Sequence, residues 1–206
     1  MRKTLVGIAT VISLVASSNV AFADAAKPGQ SMTHMKTLAG ISATLESQGI
    51  LLYVQGGATA AVIGESISSA NGQVVFHIPI TGANNGVKHV GSNIVFFNSA
   101  NNKQVQLKNP IIDLSKGTIS AVIPQGTGEV KTVLQITNAS TLKPVVTNDR
   151  KVSLKTTAYR GAELSLAPGI GAALSTLLDL PEGSIPENLA FATADVSLYS
   201  KLKSKK

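Results

Sequence analysis

The stretch that decides the fold runs from Val75 to Ile123 and reads VFHIPITGANNGVKHVGSNIVFFNSANNKQVQLKNPIIDLSKGTISAVI. Short apolar or alternating runs in it are separated by Gly, Asn and Pro, residues that favour turns. Gln104–Leu107 alternates polar and apolar side chains, which is the pattern of a half-buried antiparallel strand. Val95-Phe96-Phe97 is a continuous apolar patch and indicates a core strand rather than a binding surface. The stretch therefore predicts a succession of short strands joined by turns.

The same punctuation continues on both sides of this stretch, at the spacing expected of a sandwich or barrel. The predicted strands are Ile50–Val54, Ala58–Ile63, Gln73–Ile80, Gly86–Asn98 with a break at Gly91, Gln104–Leu107, Ile111–Leu114, Thr118–Ile123, Val130–Thr137, Val152–Tyr159, Ala162–Leu166 and Phe191–Tyr199.

One helix is predicted, at about 168–179. Ile170, Leu174, Leu177 and Leu178 form a single apolar stripe at helical spacing, which should pack on the sheet. The predicted fold class is therefore mainly β: a single antiparallel β-sandwich-like domain with one short helix in its C-terminal half.

The first 23 residues have the three parts of a secretory signal peptide. Arg2 and Lys3 form the basic start, Leu5–Ala16 is uncharged and apolar, and Ala21-Phe22-Ala23 is a small-x-small cleavage site. The apolar part has 12 residues, too few for a bilayer span of roughly 20. We therefore expect export to the periplasm, cell surface or medium after cleavage near Ala23. Since the chain has no Cys, it can form no disulfide, and this suits a bacterial export route.

The remaining chain divides into three parts by composition. Residues 24–48 are expected to be a flexible lead-in, with Lys36–Gln48 ambiguous between a helix and a strand. Residues 49–200 form the predicted β-rich domain, and 201–206 form a basic tail. No other stretch reaches the length of a transmembrane helix.

The net charge of +7 is concentrated at the two ends of the chain. Removing the two basic residues of the signal peptide and four lysines of the tail leaves 12 basic against 11 acidic residues. A nearly neutral domain gives little reason to expect specific nucleic-acid binding. Contact with anionic envelope polymers is an alternative for the tail lysines, which otherwise form a solvated terminus. These lysines are Lys201, Lys203, Lys205 and Lys206.

The three histidines are the main candidates for a metal or cofactor site. His34 falls in the predicted lead-in, where we expect it to be solvated. His77 and His89 lie on successive predicted strands and could meet across a hairpin. Two histidines without nearby acids or thiols make a poor metal site, so no metal is predicted.

Nothing in the sequence nominates a catalytic centre. There is no Gly-x-Ser-x-Gly element, phosphate loop or dinucleotide fingerprint. The 11 acidic residues form no local motif that would identify a pair of catalytic carboxylates. We therefore predict no catalytic residues and no enzymatic activity, with a small envelope hydrolase as a lower-ranked alternative.

Part of the central stretch resembles secreted bacterial β-domains related to the HtaA-like haem-acquisition family. The resemblance covers about 75–123 and 163–179. It is carried by Gly86-Val87-Lys88-His89-Val90-Gly91, by Val105-Gln106-Leu107-Lys108-Asn109-Pro110-Ile111-Ile112-Asp113 and by Gly117-Thr118-Ile119-Ser120-Ala121-Val122. It implies a β-sandwich-like secreted module and, in some members, haem binding. The aromatic element that supplies a haem-ligating tyrosine in those members is not recognisable here.

These observations predict an exported, non-enzymatic binding module of the bacterial envelope or extracellular space, with no cofactor. Its ligand, an envelope component or a small molecule, is not identified by the sequence. The alternative is a haem-binding protein of the HtaA-like type. In that alternative the haem would be held by His89, His77 or one of the strand tyrosines, and His89 is the position that matches the family motif.

Overall fold

A twelve-stranded antiparallel sheet and two helices make up the computed structural model, which describes residues 30–64, 66 and 71–202. The predicted signal peptide and the last four residues of the predicted tail lie outside the described residues. The elements in chain order are β1 Met32–Thr37, α1 Ile41–Ser47, β2 Ile50–Gly56, β3 Thr59–Ile63, β4 Gln73–Pro79, β5 Val87–Lys88, β6 Ser92–Asn98, β7 Lys103–Asp113, β8 Thr118–Val122, β9 Val130–Ile136, β10 Val145–Asp149, β11 Leu154–Leu166, α2 Ile170–Leu177 and β12 Ala190–Lys201.

The first and last strands of the chain, β1 and β12, are paired with each other inside the sheet. The strand order runs β2-β6-β7-β8-β9-β11-β12-β1-β4-β3, with β10 paired to β11 and β5 paired to β7. The sheet is nearly closed, in a barrel- or sandwich-like arrangement. The prediction of a mainly β antiparallel fold is confirmed.

The core lies on the inner face of this sheet. In β4 every second residue is buried, as expected where one face of a strand packs inward. Phe76, Phe96 and Phe191 are completely or almost completely buried, and the ring centroids of the last two are 5.9 Å apart. Contacts between aromatic rings at this distance add to the stabilisation from apolar burial.

The N-terminal boundary differs from the prediction. Met32–Thr37 belongs to the stretch predicted as a flexible lead-in, yet it forms β1, hydrogen-bonded between β12 and β4. Its inward residues include Thr33 and Thr37, which are buried. The Thr37 hydroxyl accepts a hydrogen bond from the Val74 amide at 2.9 Å. Threonine is counted as polar in a composition pattern, but a β-branched residue with a bonded hydroxyl fits a buried strand position.

Three other elements differ from the predicted pattern or add to it. The ambiguous Lys36–Gln48 segment contains the end of β1 and helix α1. The two strands predicted on either side of Asn109 are one strand, β7, with a bulge where Asn109 has a φ of 51°. The exposed strand β10 has no apolar periodicity that would have predicted it.

Helix α2 occupies the predicted position, at Ile170–Leu177. It packs closely against the segment that follows it. A Cβ atom on Gly171 would stand 2.7 Å from the carbonyl oxygen of Ile185 and 2.8 Å from that of Pro186. The absence of a side chain at this position therefore sets how near the helix can approach the segment leading into β12.

Candidate functional site

His89 lies in the loop between β5 and β6, with 1% of its surface exposed. Its Nδ1 is 2.9 Å from the carbonyl oxygen of Pro110, and its Nε2 is 2.8 Å from the hydroxyl oxygen of Thr33. A carbonyl can only accept, so Nδ1 carries the proton and Nε2 accepts from the hydroxyl. The same Pro110 carbonyl also accepts the His89 backbone amide at 3.0 Å. His89 therefore fastens the β5–β6 loop both to β7 and to β1.

The surroundings of His89 keep it neutral and leave little empty space. Burial lowers the pKa of His89, and the bond to the Pro110 carbonyl opposes this shift. The cavity beside it has a volume of about 20 Å³ and an apolar lining. Pockets for ligands of drug size typically have about 300–1,000 Å³. Haem coordination by His89 would require the bond to Thr33 to be broken and the core beside it to open.

The other two histidines, His34 and His77, form a pair on the outer face of the sheet. They are directly opposite each other on β1 and β4. Their Nδ1 atoms are 2.8 Å apart, and the ring planes are perpendicular with centroids 4.7 Å apart. One ring must donate its Nδ1 proton and the other must accept it. His34 is thus held in a histidine pair and is not the solvated lead-in residue that the sequence pattern predicts.

Charged groups on the neighbouring strands act on this pair. Burial lowers the pKa of His34, and the charge of His77 lowers it further. The Asp195 carboxylate, opposite His34 on β12, raises this pKa, while the Arg160 guanidinium lowers it. Burial also lowers the pKa of His77. Asp195 is itself held by the Gly161 amide at 2.8 Å and by Arg160 at 3.2 Å.

The structure separates the two histidines that the sequence analysis grouped. His89 bonds to Thr33, which points to the inner face of β1, whereas His77 bonds to His34 on the outer face. Because neighbouring residues of a strand point to opposite faces, His77 and His89 lie on opposite sides of the sheet. The two histidines therefore do not meet across a hairpin, the arrangement that their places on successive predicted strands would allow. Among the described residues, no group of three or more His, Cys, Asp or Glu side chains could hold a metal ion.

A surface groove between α2 and the β8–β9 connection is the candidate ligand site. Its volume is about 490 Å³, within the range of small-molecule sites. Its lining is mostly apolar, and Lys131 is the charged residue in it. The lining residues are Ile123, Gly126, Thr127, Lys131, Thr132, Pro168, Gly169, Ile170, Ala173, Thr176 and Leu177.

The end of α2 that borders this groove is already neutralised by a side chain. The Glu187 carboxylate accepts hydrogen bonds from the Gly169 and Ala172 amides, both at 2.7 Å. A carboxylate at this position also interacts favourably with the helix dipole. The helix N-terminus is therefore not available to an incoming anion, so the attraction of the groove for negative charge rests on Lys131.

The strand tyrosines lie apart from the histidines in their contacts. The Tyr53 hydroxyl donates a 2.8 Å hydrogen bond to Gln104, and Tyr159 packs against the core. The Tyr199 amide bonds to the Ser31 hydroxyl at 2.9 Å. The contacts of Tyr53 and Tyr159 are those of amphipathic rings at the edge of a core.

No family model, curated protein or solved structure matches this chain. The resemblance to the HtaA-like family therefore stays a prediction. In the residues that the structure describes, no helix has the length and apolar character needed to cross a membrane.

Sequence reasoning missed both the histidine pair and the groove, for different reasons. The His34–His77 pair could have been found if the alternation of Thr33, Met35 and Thr37 had been interpreted as the inner face of a strand. The groove has no such signal, because its two walls are separated in sequence by more than 30 residues and meet only through the packing of α2.

Proposed function

We propose that this protein is an exported, non-enzymatic binding module of the bacterial envelope or extracellular space, and that its ligand occupies the groove beside α2. The observation that carries the proposal is the groove itself, a concave and largely apolar surface of about 490 Å³. Sites of this size with few polar groups are typical of small-molecule binding. The signal-peptide pattern of residues 1–23 supports the exported location.

The groove favours a small amphipathic anion, with an apolar body and one acidic group. Ile123, Ile170 and Leu177 offer apolar contacts, and Lys131 offers a positive charge at the rim. Burial of apolar ligand surface supplies most of the affinity at such a site, at roughly 25 cal/mol per Å². The ammonium group sets the preference for an acid over its neutral counterpart.

The proposal is tested with two probes of this chemistry, anilinonaphthalene sulfonate and laurate. Ala173→Phe should fill the groove and weaken binding of both probes at least about tenfold, a loss of about 1.4 kcal/mol. Ala172→Phe is the matched control, because Ala172 is exposed on the same helix and does not line the groove. Its affinity should equal that of the unmodified protein.

The role of Lys131 is tested separately from the shape of the groove. Lys131→Gln should weaken laurate binding and remove most of its salt dependence, while binding of neutral lauryl alcohol stays unchanged. Lys143→Gln, at an exposed lysine outside the groove, should alter neither. Laurate recovered after long incubation should be chemically unchanged, as expected of a binding module. If neither probe binds, or if Ala173→Phe binds them as well as the unmodified protein, the groove is not the ligand site.

A further inference from the structure

We propose that the outer face of β1 and β4 carries a copper(II) site, formed by the Nδ1 atoms of His34 and His77 with water or an external ligand in the remaining positions. This site is separate from the groove beside α2 and does not depend on the ligand proposed there.

The spacing of the two nitrogen atoms is the first argument. Imidazole nitrogens bind such metals at about 2.0 Å. Two of them at a right angle around one ion are then about 2.8 Å apart, whereas two at a tetrahedral angle are about 3.3 Å apart. The Nδ1 atoms of His34 and His77 are 2.8 Å apart. This is the length of the hydrogen bond that joins the two rings, and it equals the separation of neighbouring corners of a square-planar or tetragonal site. Coordination therefore requires the rings to turn their lone pairs toward one ion but not to move apart, and copper(II) and nickel(II) prefer this geometry.

The sheet holds this spacing in place before any metal arrives. The two histidines are paired residues of adjacent strands, and both strands are hydrogen-bonded on both sides: β1 to β12 and β4, and β4 to β1 and β3. A chelating pair on rigid elements loses little conformational freedom when it binds. Both side chains are half-buried on the outer face, so an ion can approach from solvent.

The protonation state of the rings is compatible with binding. The hydrogen bond between the two Nδ1 atoms requires one of them to offer a free lone pair to the other. In the hydrogen-bonded pair one Nδ1 carries a proton, and metal binding requires this ring to carry its proton on Nε2 instead. The exchange passes through solvent and releases no net proton, and each Nδ1 then offers a lone pair to the ion.

The charges around the pair favour copper(II) over weaker-binding metals. Asp195 on β12 attracts a cation, while Arg160 on β11 opposes one. With two protein ligands and no net attraction, only a metal with high intrinsic affinity for imidazole is retained. Copper(II) stands at the top of the divalent series, above nickel(II) and zinc(II).

The experiment titrates the purified, untagged protein with copper(II) near neutral pH against glycine as a competing chelator. We expect one equivalent to bind, with an electron paramagnetic resonance spectrum that shows coupling to two imidazole nitrogens. His34→Asn and His77→Asn, made singly, should each weaken binding by at least about tenfold, the lower limit seen when support to a metal ligand is lost. Zinc(II) should bind more weakly than copper(II).

Lys36→Gln is the matched control, because it changes an exposed residue on the same strand and leaves both histidines in place. It should keep the full affinity and the two-nitrogen spectrum. Far-ultraviolet circular dichroism checks that each variant keeps its β-structure. Unchanged copper affinity in either histidine variant, or a spectrum lacking two-nitrogen coupling, overturns the inference.

Discussion

Replacing His89 with leucine tests how far the β5–β6 loop depends on one imidazole. Leucine fills a similar volume, so packing is largely kept, but it can neither donate nor accept a hydrogen bond. The variant therefore isolates the polar contribution of His89 from its contribution to core packing. The residue is 1% exposed, so water has little access to the groups left behind.

The size of the effect follows from the two bonds that are lost. The Thr33 hydroxyl loses its partner at 2.8 Å and is left buried, which costs about 1–3 kcal/mol. The Pro110 carbonyl loses the Nδ1 bond but keeps the His89 amide at 3.0 Å, so only about 0.5–1.5 kcal/mol is lost there. We expect His89→Leu to lower the free energy of unfolding by about 2–4 kcal/mol, a large part of the roughly 5–15 kcal/mol of a typical domain.

Urea denaturation monitored by circular dichroism measures this change in the free energy of unfolding. A double-mutant cycle shows how much of it comes from the hydrogen bond between Thr33 and His89. Thr33→Val alone leaves Nε2 of His89 without a donor and should be destabilising. Added to His89→Leu, the same change removes the orphaned hydroxyl and should recover about 1–2 kcal/mol. A loss below about 1 kcal/mol in His89→Leu, or no recovery in the double variant, would refute the assignment of His89 as a buried structural hydrogen-bonding residue.

Three further outcomes are expected. Since burial lowers the pKa of His89 below 6.5, the unfolded chain binds a proton below that pH that the folded protein does not. The free energy of unfolding measured by urea denaturation should therefore fall as the pH drops, by at most about 1.4 kcal/mol per pH unit for this residue, and by less in His89→Leu. Gly171→Ala should lower the thermal midpoint, as its Cβ would meet a carbonyl at 2.7 Å, while Gly82→Ala, with no atom nearer than 4.0 Å, should not. If a haemin titration produces a Soret shift, His77→Asn should abolish it, because His77 is half-exposed and His89 is enclosed.

Much of the fold could be predicted from local pattern. The alternation in Val130–Ile136, the apolar run within Ser92–Asn98 and the stripe on Ile170–Leu177 all correspond to elements of the structure. These elements have strong local signals because each has an apolar face or a continuous apolar run, and the chain around each is rich in turn residues. The inner face of β1 consists of Thr33, Met35 and Thr37, so its apolar alternation is too weak to predict a strand.

The candidate sites depended on contacts between distant parts of the chain. His34 and His77 are 43 residues apart, and Thr33 and His89 are 56 apart. Only the strand order, which inserts β1 between β12 and β4, brings these residues together. His77 and His89 lie on successive predicted strands, and closeness along the chain does not reveal these long-range partners.

The sequence by itself determined the class of fold, because short strands, turn residues and one amphipathic helix are recorded in local periodicity. It also located the excess positive charge at the ends of the chain, since formal charge follows from the type and position of each residue. Only the tertiary structure decided that His89 is enclosed by the core and that His34 lies against His77. The physical reason is that strand register decides which face of the sheet each side chain occupies and which residue lies opposite it. Register between distant strands is fixed only when the whole core packs together.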